Sequence, residues 1–273
     1  MKTVIFTWSH HFNINKEHLE KYNHLKETNF FFGLGDLIRA SIKLYSLSKK
    51  MNFHLVIDLQ LHPISCFLKA EKHEYSHLVL KNKNNIDYVC YGAVEDYINA
   101  KPDNSISFLF TNDFFQGEIT EDIKKFIKNI LQPTDIFQKF INNKLEKINL
   151  KPFQILHYRL NDDEFLNKNV NNEKKYRNIF NQLVKIKEDS DVLISDTKSF
   201  KDYVFQNNGN LMMFDINICH LGLSTDKDAV RDTLFEFFLI TYSCKIKTYC
   251  KIHQMSGFVK WISKIYDIPV SIL

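Results

Sequence analysis

The stretch NFFFGLGDLIRASIKLYSLSKKMNFHLVIDLQLHP, residues 29–63, decides the fold. It runs from an apolar, strand-like piece through Gly33-Leu34-Gly35-Asp36 into a helical pattern and then into a second strand. From Asp36, the residues Leu37, Ala40, Leu44, Leu47 and Met51 recur at helical spacing and mark one buried face. FHLVIDL, residues 53–59, reads as a strand covered on both sides. A glycine-lined turn between a strand and a helix is an ordinary tight turn. It is also a place where backbone N–H groups can meet a phosphate.

The rest of the chain repeats the alternation. Residues 4–6 and 106–111 read as strands, and residues 118–131 as an amphipathic helix stopped by Pro133, with a second helix through Lys147. A new series starts near Pro152: a strand at 153–158, then a helix at 172–186 burying Tyr176, Ile179, Leu183 and Ile186. DVLIS, KSFKDYVF, LMMFDI, KDAVRDTLFEFFLITY, KIKTYCKI and SGFVKWISKIY continue it as strand, helix, strand, helix, strand and helix. Such alternation predicts an α/β protein with parallel sheets. The expected architecture is two Rossmann-like lobes, residues 1–150 and 151–273, with a cleft between them.

Composition narrows the function classes. Hydrophobic residues make up 44% and charged residues 25%, as in ordinary globular proteins. The formal charge of +4 is spread over scattered lysines without a basic block, so no nucleic-acid partner is expected. Five cysteines, odd in number and without CxxC spacing, suit a reducing compartment. The apolar run Val4-Ile5-Phe6 is too short for a signal peptide, and no segment approaches the ~18 apolar residues of a membrane span. A cytoplasmic protein is expected.

Four places carry candidate chemistry, each with a plain structural alternative. At GLGD, Gly33 and Gly35 allow close backbone approach, and Asp36 is also a fitting helix N-cap. In LHYRLNDDEF a strand delivers His157 and Arg159 to its carboxyl end, where ligands of open parallel sheets gather. The fork of donors on Arg159 suits a diphosphate, or simply solvent. Ser195 and Asp196 follow another strand and could read the edge of a nucleobase, or cap the next helix. Ser256 and Gly257 open the last helix, where N-terminal amides can hold phosphate oxygens or merely be capped. Asp189-Ser190-Asp191 has the spelling of a metal-binding DxD but enters a strand instead of leaving one. His10, His11, His18 and His24 lack zinc-site spacing.

The order of these pieces resembles the fucosyltransferase superfamily, GT-B-like enzymes that use GDP-fucose, and in particular its nodulation and core α1,6 branch. GLGDLIRASIKLYSLSKKMNFHLVIDLQ resembles the opening of that branch, HYRLND its HxRxxD motif, LISDTKSF its donor motif, and HQMSGFVKWISKIY its closing turn and helix. The resemblance implies an inverting, metal-independent transfer of fucose to a glycan hydroxyl, with no cofactor beyond the donor substrate. It implies that Arg159 contacts the β-phosphate and that His157 lies against the nucleotide. Asp196, next to Ser195, would read guanine, and Ser256 with Gly257 would hold phosphate. The turn at Gly33 and Gly35 would approach the donor from the first lobe, with Asp36 as base. Two alternatives stay open: a GT-B transferase with a heptose or rhamnose donor, since GLGDLI also opens those enzymes, and a non-catalytic nucleotide- or glycan-binding module.

Overall fold

The computed structural model describes residues 1–8, 33–69, 73–83, 85–148, 152–160, 173–207, 211–222, 224, 226–250 and 255–273. The expected strand-like piece at 29–32, the four N-terminal histidines and Asp162, the closing aspartate of HYRLND, lie outside these residues. The chain divides into two compact units, Met1–Phe137 with Leu221–Lys227, and Gln138–His220 with Asp228–Leu273.

The first unit is built on β1 (Thr3–Thr7), β2 (His54–Asp58), β3 (Asp87–Val89) and β4 (Ile106–Thr111), all parallel, in the order β2-β1-β4-β3. Its helices are α1 (Leu34–Met51), α2 (Ser76–Lys81), α3 (Val94–Asn99) and α4 (Glu121–Ile130). Every residue of β1 is buried, as a central strand covered on both faces requires. α1 starts at Leu34, two residues before the expected Asp36, and buries Leu37, Ile38, Ala40, Leu44 and Leu47. It ends at Asn52, whose left-handed backbone (φ 52°) returns its N–H to the Ser48 carbonyl and turns the chain into β2.

Helix α5 (Asp135–Leu145) leads into the second unit. The units therefore part within this helix, at Phe137/Gln138, ahead of the boundary expected at 150/151. The reason is packing: Phe140 meets Phe235 edge-on at 5.9 Å, and Gln138 donates to the Tyr242 hydroxyl at 3.0 Å. Residues Leu221–Lys227 return to the first unit, where the buried His62 Nε2 donates to the Leu221 carbonyl at 2.6 Å. His62 Nδ1 accepts from the Ile64 N–H, which fixes the proton on Nε2.

The second unit contains β5 (Gln154–Arg159), α6 (Glu173–Ile186), β6 (Asp191–Ser195), α7 (Lys198–Asn207), β7 (Met212–Met213), α8 (Lys227–Thr241), β8 (Lys245–Cys250), α9 (Gly257–Tyr266) and β9 (Val270–Ile272). Its sheet is parallel, in the order β7-β6-β5-β8-β9. α8 is buried at ten positions between Val230 and Ile240, so it lies inside the unit with hardly a polar face. LMMFDI pairs at Met212 and Met213 only, and Phe214 and Ile216 are buried from an irregular segment. Ile186, expected in the core, is 36% exposed at the last residue of α6.

The DxD-like Asp191 serves the fold. It is buried at the start of β6 and pairs with Lys247 Nζ on β8 at 3.2 Å, while Glu188 Oε1 takes the same ammonium at 2.6 Å. Removing the lysine strands the fully buried Asp191 carboxylate, whereas Glu188 would still hold Lys247 if Asp191 were removed. Lys247→Met is expected to cost about 3–5 kcal/mol in urea unfolding. Asp191→Leu combined with Lys247→Met is expected to recover most of that loss. Equal losses in the two proteins would refute a coupled pair.

Candidate active site

In an open parallel sheet, ligands collect outside the carboxyl ends of two strands whose connections diverge. In the second unit β5 is flanked by β6 and then β7 on one side, and by β8 and β9 on the other. The divergence therefore lies between β5 and β8. Arg159, the last residue of β5, stands opposite Cys250, the last residue of β8. Its Nη1 donates to Ser256 Oγ at 3.4 Å. Ser256 is buried and precedes α9, yet its hydroxyl makes no capping bond to that helix. The hydroxyl instead accepts from the arginine, and the first turn of α9 begins beside it at Gly257.

His157 lies two residues upstream and is 5% exposed. Its Nδ1 meets Thr248 Oγ1 at 2.9 Å, and its ring lies nearly parallel to Phe258 with centroids 6.4 Å apart. Burial, and then the neighbouring Arg159 charge, lower its pKa to about 3. The imidazole is therefore neutral at any working pH. It braces β5 against β8 and α9, and it carries no proton to the site.

Ser195 and Asp196 are engaged with the backbone. Ser195 Oγ donates to the Tyr158 carbonyl at 2.8 Å and accepts from the Thr197 N–H at 3.2 Å. Asp196 Oδ1 accepts from the Leu160 N–H at 2.9 Å and from the Thr197 hydroxyl at 3.1 Å. Together they tie the end of β6 to the residues on either side of Arg159. Behind them Lys201 pairs with Glu236 at 3.2 Å, both side chains being under 10% exposed. Burial is the main cause raising the Glu236 pKa, the charges of Asp196 and Asp232 add to it, and Lys201 opposes them. Sequence reading missed Thr248, Lys201 and Glu236. Their partners are 91 and 35 residues distant, beyond any local spacing signal.

Arg159, Ser195, Asp196, Ser256 and Gly257 thus share the carboxyl edge of the second sheet, with His157 just beneath. Gly33, Gly35 and Asp36 belong to the first unit. Gly33 is the N-cap of α1 with extended backbone (φ −79°, ψ 179°), and Gly35 is the second helical residue. Asp36 sits in the first turn and not at the cap. Its Oδ2 accepts from the Gly33 N–H at 2.8 Å, and its Oδ1 pairs with Arg39 at 2.8 Å.

No protein-family model matches the chain. Among curated proteins, a probable polyketide synthase 32 of Dictyostelium discoideum is 29% identical over 155 residues, 52% of this chain. The match spans 5% of that protein's length. Solved structures are more informative. NodZ α1,6-fucosyltransferase soaked with GDP-fucose superimposes with a TM-score of 0.56 at 10% identity, covering 98% of this chain and 93% of that one. The chain has the fold of these fucosyltransferases. Fucosyltransferase NodZ from Bradyrhizobium gives 0.53 at 11% identity, covering 95% and 92% of the two chains. A mutant of Arabidopsis thaliana FUT1 in complex with GDP gives 0.55 at 9% identity, covering 100% and 70%. The expected fold class, α/β and GT-B-like with parallel sheets, is the one observed.

The depressed pKa of His157 has a definite sign in stability. Below its ordinary value of 6.5 the unfolded chain takes up a proton that the folded chain refuses until about pH 3. Stability therefore falls as pH drops through that window, by about 1.4 kcal/mol per pH unit from this group. Urea unfolding between pH 6.5 and 4 is expected to show a shallower loss for His157→Gln than for the parent protein. Identical slopes would mean that His157 is not held neutral.

Proposed function

We propose that this chain is an inverting glycosyltransferase that moves fucose from GDP-fucose to a glycan hydroxyl without a metal ion. The observation that carries the reading is Arg159, a guanidinium inside HYRLND at the strand end where the second sheet's connections diverge. A fold shared with NodZ soaked with GDP-fucose supports the donor. As the bond from C1 of fucose to the β-phosphate oxygen breaks, its electron pair moves onto that oxygen. In this reading Arg159 neutralises the charge that develops, since a fixed donor in a dry site stabilises it far more than water does. Ser256 holds the guanidinium from one side, and the first N–H groups of α9 add the positive end of a helix dipole.

The acceptor oxygen bonds to C1 from the opposite face and loses its proton late. Asp36 is on this reading the base that receives that proton, its carboxylate being oriented by the Gly33 N–H and by Arg39. In this reading Asp196 reads guanine while bracing Leu160, and His157 supports the nucleotide through packing. Among the described residues no helix is long and apolar enough to cross a membrane. A cytoplasmic location belongs to the same reading, resting on five cysteines, odd in number and without CxxC spacing.

A melting-temperature panel with GDP, UDP, ADP and CMP, without metal and then with EDTA, tests the donor. GDP at about 100 times its dissociation constant is expected to stabilise by roughly 2.7 kcal/mol, unchanged by EDTA. In turnover, Arg159→Ala is expected to lose about 10²–10³ in kcat, as when one charge-stabilising donor is removed. A stronger response to another nucleotide, or undiminished turnover in that variant, would overturn the proposal.

A further inference from the structure

Arg159 stands at the limit of the second sheet. The β5–β8 ladder ends with its pairing to Cys250, and the β5–β6 ladder ends one residue earlier, at Tyr158 opposite Ser195. Leu160, the next residue, lies beyond both ladders. A side chain at a strand end is only as fixed as the backbone on either side of it. Here the sheet holds one side.

The other side is held by side chains. The Leu160 N–H donates to Asp196 Oδ1 at 2.9 Å, and the Leu160 carbonyl accepts from Lys175 Nζ at 3.3 Å. The Leu160 side chain is buried in one core cluster with Tyr176 and Ile179 of α6. Two charged groups of opposite sign, one following β6 and one on α6, thus grip the two polar backbone groups of a single residue. Lys175 has no local reason to be there. It is the third residue of α6, where the positive end of the helix dipole repels a cation, and Met or Gln has equal helix propensity. Lys174 beside it is exposed, so solvent screens that repulsion, but Lys175 is partly buried and screened less. The contact with Leu160 is what offsets the cost.

We infer that Lys175 is a positioning residue for Arg159. With Asp196 it fixes Leu160 and extends the rigid frame one residue past the end of β5, and this keeps the guanidinium against Ser256 Oγ. In this role Lys175 touches no reacting atom. Its kinetic consequence rests on the fucosyl-transfer reading: a donor that stabilises developing charge must not reorganise, so a looser Arg159 costs kcat and leaves KM nearly unchanged.

The test uses the full chain labelled with 15N-arginine, the Arg159 Nε–H signal being assigned with Arg159→Lys. Lys175→Met removes the ammonium at similar helix propensity, and Lys175→Arg keeps a cationic donor. The Arg159 Nε–H order parameter is expected to fall to about 0.6 or lower in Lys175→Met and to recover in Lys175→Arg. Arg231, whose Nε donates to Asp232 at 3.0 Å in the same unit, is the internal control, because general loosening would move it as well. With GDP-fucose and water as acceptor, the water oxygen bonds to C1, its proton passes to solvent and GDP departs. For this release Lys175→Met is expected to lose about tenfold in kcat with KM within about twofold, and Lys175→Arg to regain most of it. A parent protein that releases no GDP and gains no melting temperature from GDP would remove the donor reading, and the arginine signals would still decide the positioning. An unchanged Arg159 signal in Lys175→Met, an equal fall at Arg231, no recovery in Lys175→Arg, or a raised KM at unchanged kcat would overturn the inference.

Discussion

Six residue pairs bind β5 to β8, from Gln154 opposite Lys245 to Arg159 opposite Cys250, and the second unit is organised around that ladder. The strands come from chain positions far apart, so the pairing carries a large loop-closure cost that only burial on both faces offsets. Its register decides which side chains reach the carboxyl edge. A slip of one residue would point Arg159 to the other face of the sheet and bring His157 away from Thr248. The candidate site depends on this register more than on any single side chain in it.

Polar groups lock the register where apolar packing alone would tolerate sliding. At the amino edge, Lys247 is held by Asp191 and Glu188 and ties β8 to the start of β6. Midway, His157 and Thr248 join β5 to β8. At the carboxyl edge, Ser195 and Asp196 bond the backbone around Arg159. Asp191, Lys247, His157, Thr248 and Ser195 are buried and so must be paired, which makes a shifted register costly. Several residues with the appearance of ligand-binding chemistry thus have a prior duty in holding the strand ends in place.

The strand connections of the second sheet diverge between β5 and β8. That point carries a cation, a serine that accepts from it and a helix N-terminus, a set that suits an anionic ligand.

Sequence alone determined the α/β class, because helical spacing in residues 37–51 and the apolar runs of β1, β2, β5 and β6 are local patterns that burial enforces directly. It also placed Arg159, Asp196 and Ser256 at strand and helix ends. It could not find β3 and β9, each three residues long, because so short a strand has no periodicity and exists only through its neighbour. Nor could it tell that Ser195 bonds the Tyr158 carbonyl on the neighbouring β5 or that His157 meets Thr248 on β8. Those facts depend on contacts between residues tens of positions apart. Only the folded chain, by setting strand order and register, decides which polar groups are satisfied by the protein and which are left for a ligand.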